Sequence, residues 1–370
     1  MDKVCGNIVS DDGKVLLFSI DNFVNTICNK DTCFVCGIER AEASFNDEHV
    51  IPRWVLKRYE LFGKEITLPN DKKFRYGKYK IPCCESCNSF LGENIEKKVA
   101  EGLDGDFNKV LNFFNGNKEL VFNWICLLYI KTHLKDKTFK YDFQTDKKIG
   151  DGYDWENLHH FHCMARSIYT GVKIEESVYG SMFIYPCAEF DEGERYDYID
   201  LYGTGTVLIR LGDFFIICVM NDSKLVSQLI KSRTERITGK LNFLQVRELY
   251  SRVSYENLRI IDRPKYYTVV RHKDNYVGTH ALINKKIKIA PHNEEFFGAL
   301  MYKLVKNYIY SPQEPELKIK MEEQVQGVKN GQWTYLFDSE GKFLSDSALI
   351  IDDEKSVIED LKNGIDIFTR

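Results

Sequence analysis

At 370 residues the chain is longer than one hydrophobic core usually organises, and 44% apolar residues are enough to build two, which excludes a disordered or fibrous protein. A formal net charge of −4 excludes a globally basic nucleic-acid binder and confines any phosphate-binding surface to a local patch. Eleven cysteines, an odd number with four in close pairs, suit a metal site in a reducing compartment better than a secreted disulfide framework, so a cytoplasmic protein is expected.

Residues 1–27 are expected to form short strands around the Asp11-Asp12-Gly13 turn, with Val15 to Ile20 extended, packing on the segment that carries the cysteine pairs. That apolar run is too short for a signal peptide, and Val121 to Ile130 is too short to span a bilayer, so no membrane association is expected. Cys33-Phe-Val-Cys36 and Cys84-Glu-Ser-Cys87 each have the two-residue spacing with which paired thiolates grip one tetrahedral zinc, at Zn–S distances of about 2.3 Å. Cys28 and Cys83 fall outside that spacing, and Cys83 reads as a small buried side chain.

Phe45 to Val50 reads as a strand that ends at Ile51-Pro52, because proline stops ladder pairing. Within it His49 is the candidate general base, being the side chain whose ordinary pKa lets it take a proton near neutral pH. Successive residues of a regular strand face opposite ways, so Glu48 shares a site with His49 only if the strand ends or distorts there. Asp47 lies on the same face as His49.

The order Cys-x-x-Cys, Glu48-His-Val-Ile-Pro52, Cys-x-x-Cys-Asn88 spans roughly residues 28 to 100 and resembles the zinc-containing branch of the HNH endonuclease family. The resemblance implies a ββα-metal unit clamped by a structural four-cysteine zinc knuckle, in which Glu48 and Asn88 hold a catalytic Mg²⁺ or Mn²⁺ through hard oxygen and His49 activates water. Asp47 is the alternative ligand. The sequence departs from the family at the middle Asn, whose place is taken by Lys78-Tyr-Lys-Ile-Pro82, with Asn70 standing well upstream.

Arg53 to Phe62 carries apolar residues at 54, 55, 59 and 62 and reads as a short amphipathic helix closed by Gly63. Residues 51–82 hold nine Lys or Arg against three acids, a surplus of six, interleaved with Tyr59, Phe74, Tyr76 and Tyr79. In a nearly neutral chain this is where a phosphate backbone would be held, and Arg53, Lys57, Arg58, Lys72, Lys73, Arg75, Lys78 and Lys80 are the candidate contacts. Cys84, Cys87 and Leu91 then recur at helical spacing.

The glycine-rich stretch around Asp104-Gly-Asp106 reads as a boundary, dividing a nuclease domain of residues 28–105 from an α+β domain of residues 110–370, which Leu120 to His133 would seed as an apolar helix. His159, His160, His162 and Cys163 read as the polar face of an amphipathic helix rather than as a metal site. Residues 181–220 read as an antiparallel meander, followed by helices over 224–249 and 294–310 and short strands at 266–270 and 286–289. A strand pair around Asp338 to Gly341 and a helix from Glu354 close the chain. The expected fold class is therefore α+β.

A zinc nucleobase deaminase also sets cysteines near Glu and His, but it requires His-x-Glu and Pro-Cys-x-x-Cys, and here Glu48 precedes His49 and Cys83 precedes Cys84. The expectation is a metal-dependent endonuclease acting on nucleic acid, double-stranded DNA by family habit, with a non-catalytic zinc-knuckle nucleic-acid-binding protein as the alternative. By analogy alone, the larger C-terminal region would recognise a trigger, a protein partner or a second copy, as in restriction or phage-defence systems.

Overall fold

A computed structural model describes residues 2–142, 144–188, 195–309 and 315–345. It is α+β with antiparallel sheets, and it divides into two compact units, Met1–Tyr179 with Lys265–Leu282 and Gly180–Pro264 with Ile283–Arg370. The stretch between 100 and 115, where a boundary was expected, instead turns between two helices of the first unit. Among the described residues no helix is long and apolar enough to cross a membrane.

In the first unit β1 (Asp2–Val4), β2 (Asn7–Val9) and β3 (Val15–Leu17) form an antiparallel sheet that turns at Gly13, where φ is +84°. The short α1 (Ile20–Asn22) runs into a π turn over Phe23–Cys28. Beyond it come β4 (Glu48–His49), α2 (Arg53–Arg58), the hairpin of β5 (Glu65–Thr67) with β6 (Lys73–Arg75), and β7 (Lys80–Ile81), which pairs antiparallel with β4. α2 is shorter than the expected helix, because Glu60 adopts the left-handed region at φ +53° and ends it before Phe62. Next, α3 (Glu85–Leu91), a π turn over Gly92–Glu96 and α4 (Lys97–Gly102) make one helical run, followed by α5 (Phe107–Gly116), capped by Asp106.

α6 (Lys118–Asp136) decides where the first core lies. Val121 to Leu134 are buried at every position, and a helix enclosed on all sides belongs inside a core rather than on its surface. It packs on α7 (Trp155–Thr170) and touches α4, α5 and β7, so it completes the first unit instead of founding a second. α7 also differs from its expected polar face: His162 is fully buried and Cys163 buried, and Leu16, Leu17 and Cys163 join one apolar cluster. β8 (Lys173–Ile174) comes next.

The second unit holds β9 (Met182–Pro186), β10 (Tyr196–Leu201), β11 (Thr206–Leu211) and β12 (Phe214–Val219) in the order β10-β11-β12-β9. The expected meander is present for its last three strands, while β9 crosses to pair with β12. Every residue of β11 and β12 is buried. Two short helices, α8 (Leu225–Leu229) and α9 (Lys231–Thr234), lead to α10 (Phe243–Arg259), whose Val246, Leu249, Tyr250 and Val253 meet Leu208, Phe215 and Ile217 of the sheet in one core.

The chain then returns to the first unit as the hairpin of β13 (Lys265–Arg271) and β14 (Tyr276–Leu282), with β14 running parallel to β8. β14 was not anticipated, and residues 286–289 make only the isolated bridge from Ile289 to Ile260. α11 (Glu294–Val305) and α12 (Pro315–Lys329) complete the second unit, where buried Glu248 accepts from the Leu336 amide at 3.1 Å, the Thr334 hydroxyl at 2.7 Å and Arg252 at 2.6 Å. The strand pair expected near 338–341 is present as a bridge from Phe337 to Phe343, and the helix expected from Glu354 lies outside the described residues.

Leu128 is fully enclosed in the first core. Leu128→Ala should therefore lower the free energy of unfolding by about 2–5 kcal/mol in urea titrations, whereas Ile319→Ala, at a position 58% exposed, should change it by less than about 0.5 kcal/mol.

Candidate functional site

The two cysteine pairs converge. The Sγ atoms of Cys33, Cys36, Cys84 and Cys87 all lie within 4.8 Å of one another, and Cys36 and Cys84 are 3.8 Å apart. Tetrahedral sulfurs at about 2.3 Å from a shared ion stand roughly 3.8 Å from each other, so this group can hold a metal such as zinc.

Each pair is presented by local backbone. Gly37, at φ +79°, lets the turn after Cys36 close, with the Gly37 amide donating to the Cys33 carbonyl at 2.8 Å. A side chain there would meet the ring of Phe18 at 3.0 Å. Cys84 stands at the N-terminal cap of α3, and Cys87 lies one turn inside it. Thiols this crowded share protons rather than all ionising: the hydrogen bond with Cys33 is the main cause that pushes Cys36 up to about 12, and Cys33 itself is correspondingly lowered by Cys36. A divalent cation relieves that repulsion. Cys83 is buried beside this group and Cys28 is buried away from it.

The segment carrying His49 runs antiparallel to residues 79–84. Phe45 bridges Cys84, the Asn46 amide donates to the Cys83 carbonyl at 3.2 Å, His49 pairs with Lys80, and the Val50 amide donates to the Tyr79 carbonyl at 2.9 Å. The strand expected over Phe45–Val50 is broken at Asp47, which sits in the left-handed region at φ +38°. With α3 following directly, two paired strands and a helix share the thiol cluster at their base.

Glu48 and His49 part company. Glu48 is buried, and its carboxylate accepts from Lys131 Nζ of α6 at 2.8 Å; the same ammonium donates to the His49 carbonyl at 2.9 Å and to Glu96 at 3.2 Å. This corrects the expected metal role of Glu48, and the cause is strand alternation, which turns it into the core when His49 faces out. Asp47, the alternative ligand, is taken by Arg40 at 2.6 Å. Burial pushes Glu96 up to about 7 against the attraction of Lys131. Burial also opposes the charge on Lys131, but Glu48 and Glu96 outweigh it and hold that ammonium above its ordinary pKa.

His49 is half-buried, and among the described residues its ring nitrogens have no hydrogen-bond partner. Phe62 meets it edge-on, with centroids 5.9 Å apart. Burial first, and Lys80 second, lower its pKa, so the imidazole is neutral at pH 7. Asn88, on α3, donates through Nδ2 to Asn46 Oδ1 at 2.7 Å. Asn46 was not singled out in the sequence; only its distance of three residues from His49 could have drawn attention to it.

Two further residues hold this loop. The buried Tyr79 accepts from the Val50 amide through its carbonyl and donates its hydroxyl to Asp136 at 2.6 Å, tying the turn after His49 to α6. His162 of α7 bonds the Phe34 carbonyl through Nε2 at 2.7 Å and so braces the first knuckle. Asn70 instead donates to the Lys140 carbonyl at 2.7 Å.

Of the basic candidates, Arg53, Lys57, Lys72, Lys73, Arg75 and Lys78 are exposed and Lys80 half-exposed. Arg58 has a structural task, because it donates to the Ala100 and Leu103 carbonyls at the end of α4 and pairs with Asp104 at 3.1 Å. No family model, curated protein or solved structure matches the chain.

This geometry sets two expected outcomes. Cys84→Ser should lower bound zinc, read by elemental analysis, and thermal stability together, because thiolate ligation is coupled to folding. Lys131→Met strands the buried carboxylate of Glu48 and the partly buried one of Glu96 and should cost about 3–5 kcal/mol at pH 8. Since burial raises the pKa of Glu96, that carboxyl takes up a proton as pH falls and the deficit should shrink towards pH 5; an unchanged deficit in urea titrations at both pH values would show that Glu96 is not what Lys131 serves.

Proposed function

We propose that the region around β4, β7 and α3 is a metal-dependent endonuclease of the HNH type, hydrolysing phosphodiester bonds in nucleic acid. The observation that carries this reading is the arrangement itself: a neutral, half-buried His49 on a paired strand, the Asn46–Asn88 contact between that strand and the following helix, and four thiols converging beneath them. His49 takes a proton from the attacking water, and Lys131 and the Tyr79 carbonyl hold the two polar groups of the peptide that follows it.

The remaining donors fit a hard cation in part. With Glu48 committed to Lys131, the side-chain oxygens of Asn46 and Asn88 are the protein's contribution, and Mg²⁺ or Mn²⁺ commonly completes such a set with water and substrate phosphate oxygens. When bound, the ion neutralises charge on the phosphate and leaving oxygen. The structural zinc and the preference for duplex DNA belong to the same proposal. The sequestered Glu48 is what favours the second reading, a zinc-knuckle protein that binds nucleic acid without cutting it.

The two readings separate on supercoiled plasmid incubated with Mg²⁺, Mn²⁺ or EDTA. Cutting in either metal but not in EDTA is expected, with His49→Ala slower by about 10²–10⁴-fold and zinc content unchanged. Asn88→Ala should lose activity with zinc retained. Because burial lowers the pKa of His49, the acid-side fall in rate, where the base becomes protonated, should be centred below the ordinary histidine value. A plasmid that survives both metals would leave the binding protein as the answer.

A further inference from the structure

A cleft of ≈ 410 Å³ opens in the first unit beside the β4–β7 pair. Its size is that of sites that take small organic ligands. Ile27, Phe34, Ile81 and Leu134 supply apolar wall, and five cations and two acids also line it. The acids are already spent, since Arg40 holds both Asp31 and Asp47 at 2.6 Å, and Lys30 is paired with Glu39 at 2.9 Å.

That leaves Lys80, Lys135 and Lys137. Among the described residues none of the three has a carboxylate within ion-pair distance. Lys135 and Lys137 are half-buried, and desolvation is the first cause that lowers both below the ordinary lysine range. Lys137 donates to the Cys28 carbonyl, and Lys135 lies over the Phe74 and Phe139 rings at 5.8 and 5.4 Å; Asp136 and Asp47 attract Lys135 from beyond ion-pair distance but do not offset its desolvation. Three partly dehydrated ammonium groups on one concave wall are a receptor for an anion carrying more than one negative charge, and lysine serves phosphate as a compact point charge. Lys80 also connects the cleft to His49, because the two residues are paired directly across β4 and β7.

We propose that this cleft binds a nucleoside phosphate, with Lys80, Lys135 and Lys137 on the phosphate and the apolar wall against the nucleoside. The proposal deepens the nuclease reading and rests on it for the meaning of the neighbouring His49: the ligand is a nucleotide of the bound strand or a free nucleotide of the same chemistry. This set of contacts differs from the exposed Lys72, Lys73 and Arg75, which the fold carries on and beside β6.

The test measures binding, not cutting. In a His49→Ala background, full-length protein is titrated into a short fluorescent single-stranded oligonucleotide at several salt concentrations, and AMP is added as competitor. Lys80→Gln with Lys135→Gln should weaken binding of the oligonucleotide, of AMP, or of both by about tenfold or more at low salt; where the oligonucleotide is affected, its log K against log salt slope should fall by roughly 1.4, from about 0.7 for each lost contact. Lys135→Arg, which keeps the charge, should restore most of the affinity. Zinc content and melting temperature equal to the parent's show that the double variant is folded.

Displacement by AMP assigns the cleft to free nucleotide, and failure of AMP to compete assigns it to the strand; either supports the proposal if the lysine variant is impaired. Unchanged affinity for both probes, with an unchanged salt slope, overturns it. The nuclease reading fails separately, if the parent protein leaves plasmid intact in Mg²⁺ and Mn²⁺ while the lysine-dependent binding persists.

Discussion

The first unit depends on one buried ammonium. Lys131 lies in the middle of a helix enclosed on all sides, and a bare cation there would be far too costly, so the surroundings must supply negative partners. They do so from two places distant in sequence, Glu48 of the strand and Glu96 of the helical run after the second cysteine pair, with the His49 carbonyl as a third acceptor. One helix thereby ties together the strand that presents His49 and the helical run that presents Cys87 and Asn88. Two carboxylates share one cation, and burial raises the pKa of Glu96, so the group is held by mutual need rather than by surplus attraction.

The thiol cluster works at the other end of the same element. Four sulfurs at mutual distances suited to a tetrahedral ion draw residues 33–36 and 84–87 together, and the bridge from Phe45 to Cys84 sets the register of the intervening strand. Tyr79, bonded to Asp136 of α6, and His162 of α7, bonded to the Phe34 carbonyl, then brace the turn after His49 and the first knuckle. The kink at Asp47 sits between these fixed points, and Arg40 holds its carboxylate. His49 is therefore presented by an over-determined frame, the condition under which a half-buried imidazole keeps a depressed pKa instead of swinging into water.

Charge is divided with some economy. Arg40 and Arg58 spend their guanidinium groups on the loop and on the end of α4, while Lys80, Lys135 and Lys137 stand on a concave wall without carboxylate partners among the described residues. In a chain of net charge −4, a local positive surface of this kind arises from where folding places the acids. In the second unit the equivalent internal use of charge is structural, with Glu248 of α10 bonding the Leu336 amide and Arg252 inside the core.

Local spacing was sufficient for some features and silent on others. The cysteine pairs, the Asp-Gly turn near Gly13, the helix after the second pair and the antiparallel strands after residue 181 are written in runs of a few residues, because spacing, turn chemistry and periodicity act over that range; the α+β class rests on them. What only the tertiary structure decided involves partners far apart in the chain. The apolar run at 121–134 announces a buried helix, but which core it enters depends on Glu48 and Glu96, 83 and 35 residues before Lys131. Glu48 looked like a ligand because it adjoins His49, and strand alternation with an α6 lysine behind it turned it inward. The placement of β9 beside β12, and the return of β13 and β14 to the first unit, likewise rest on pairings between distant segments, which no local pattern encodes.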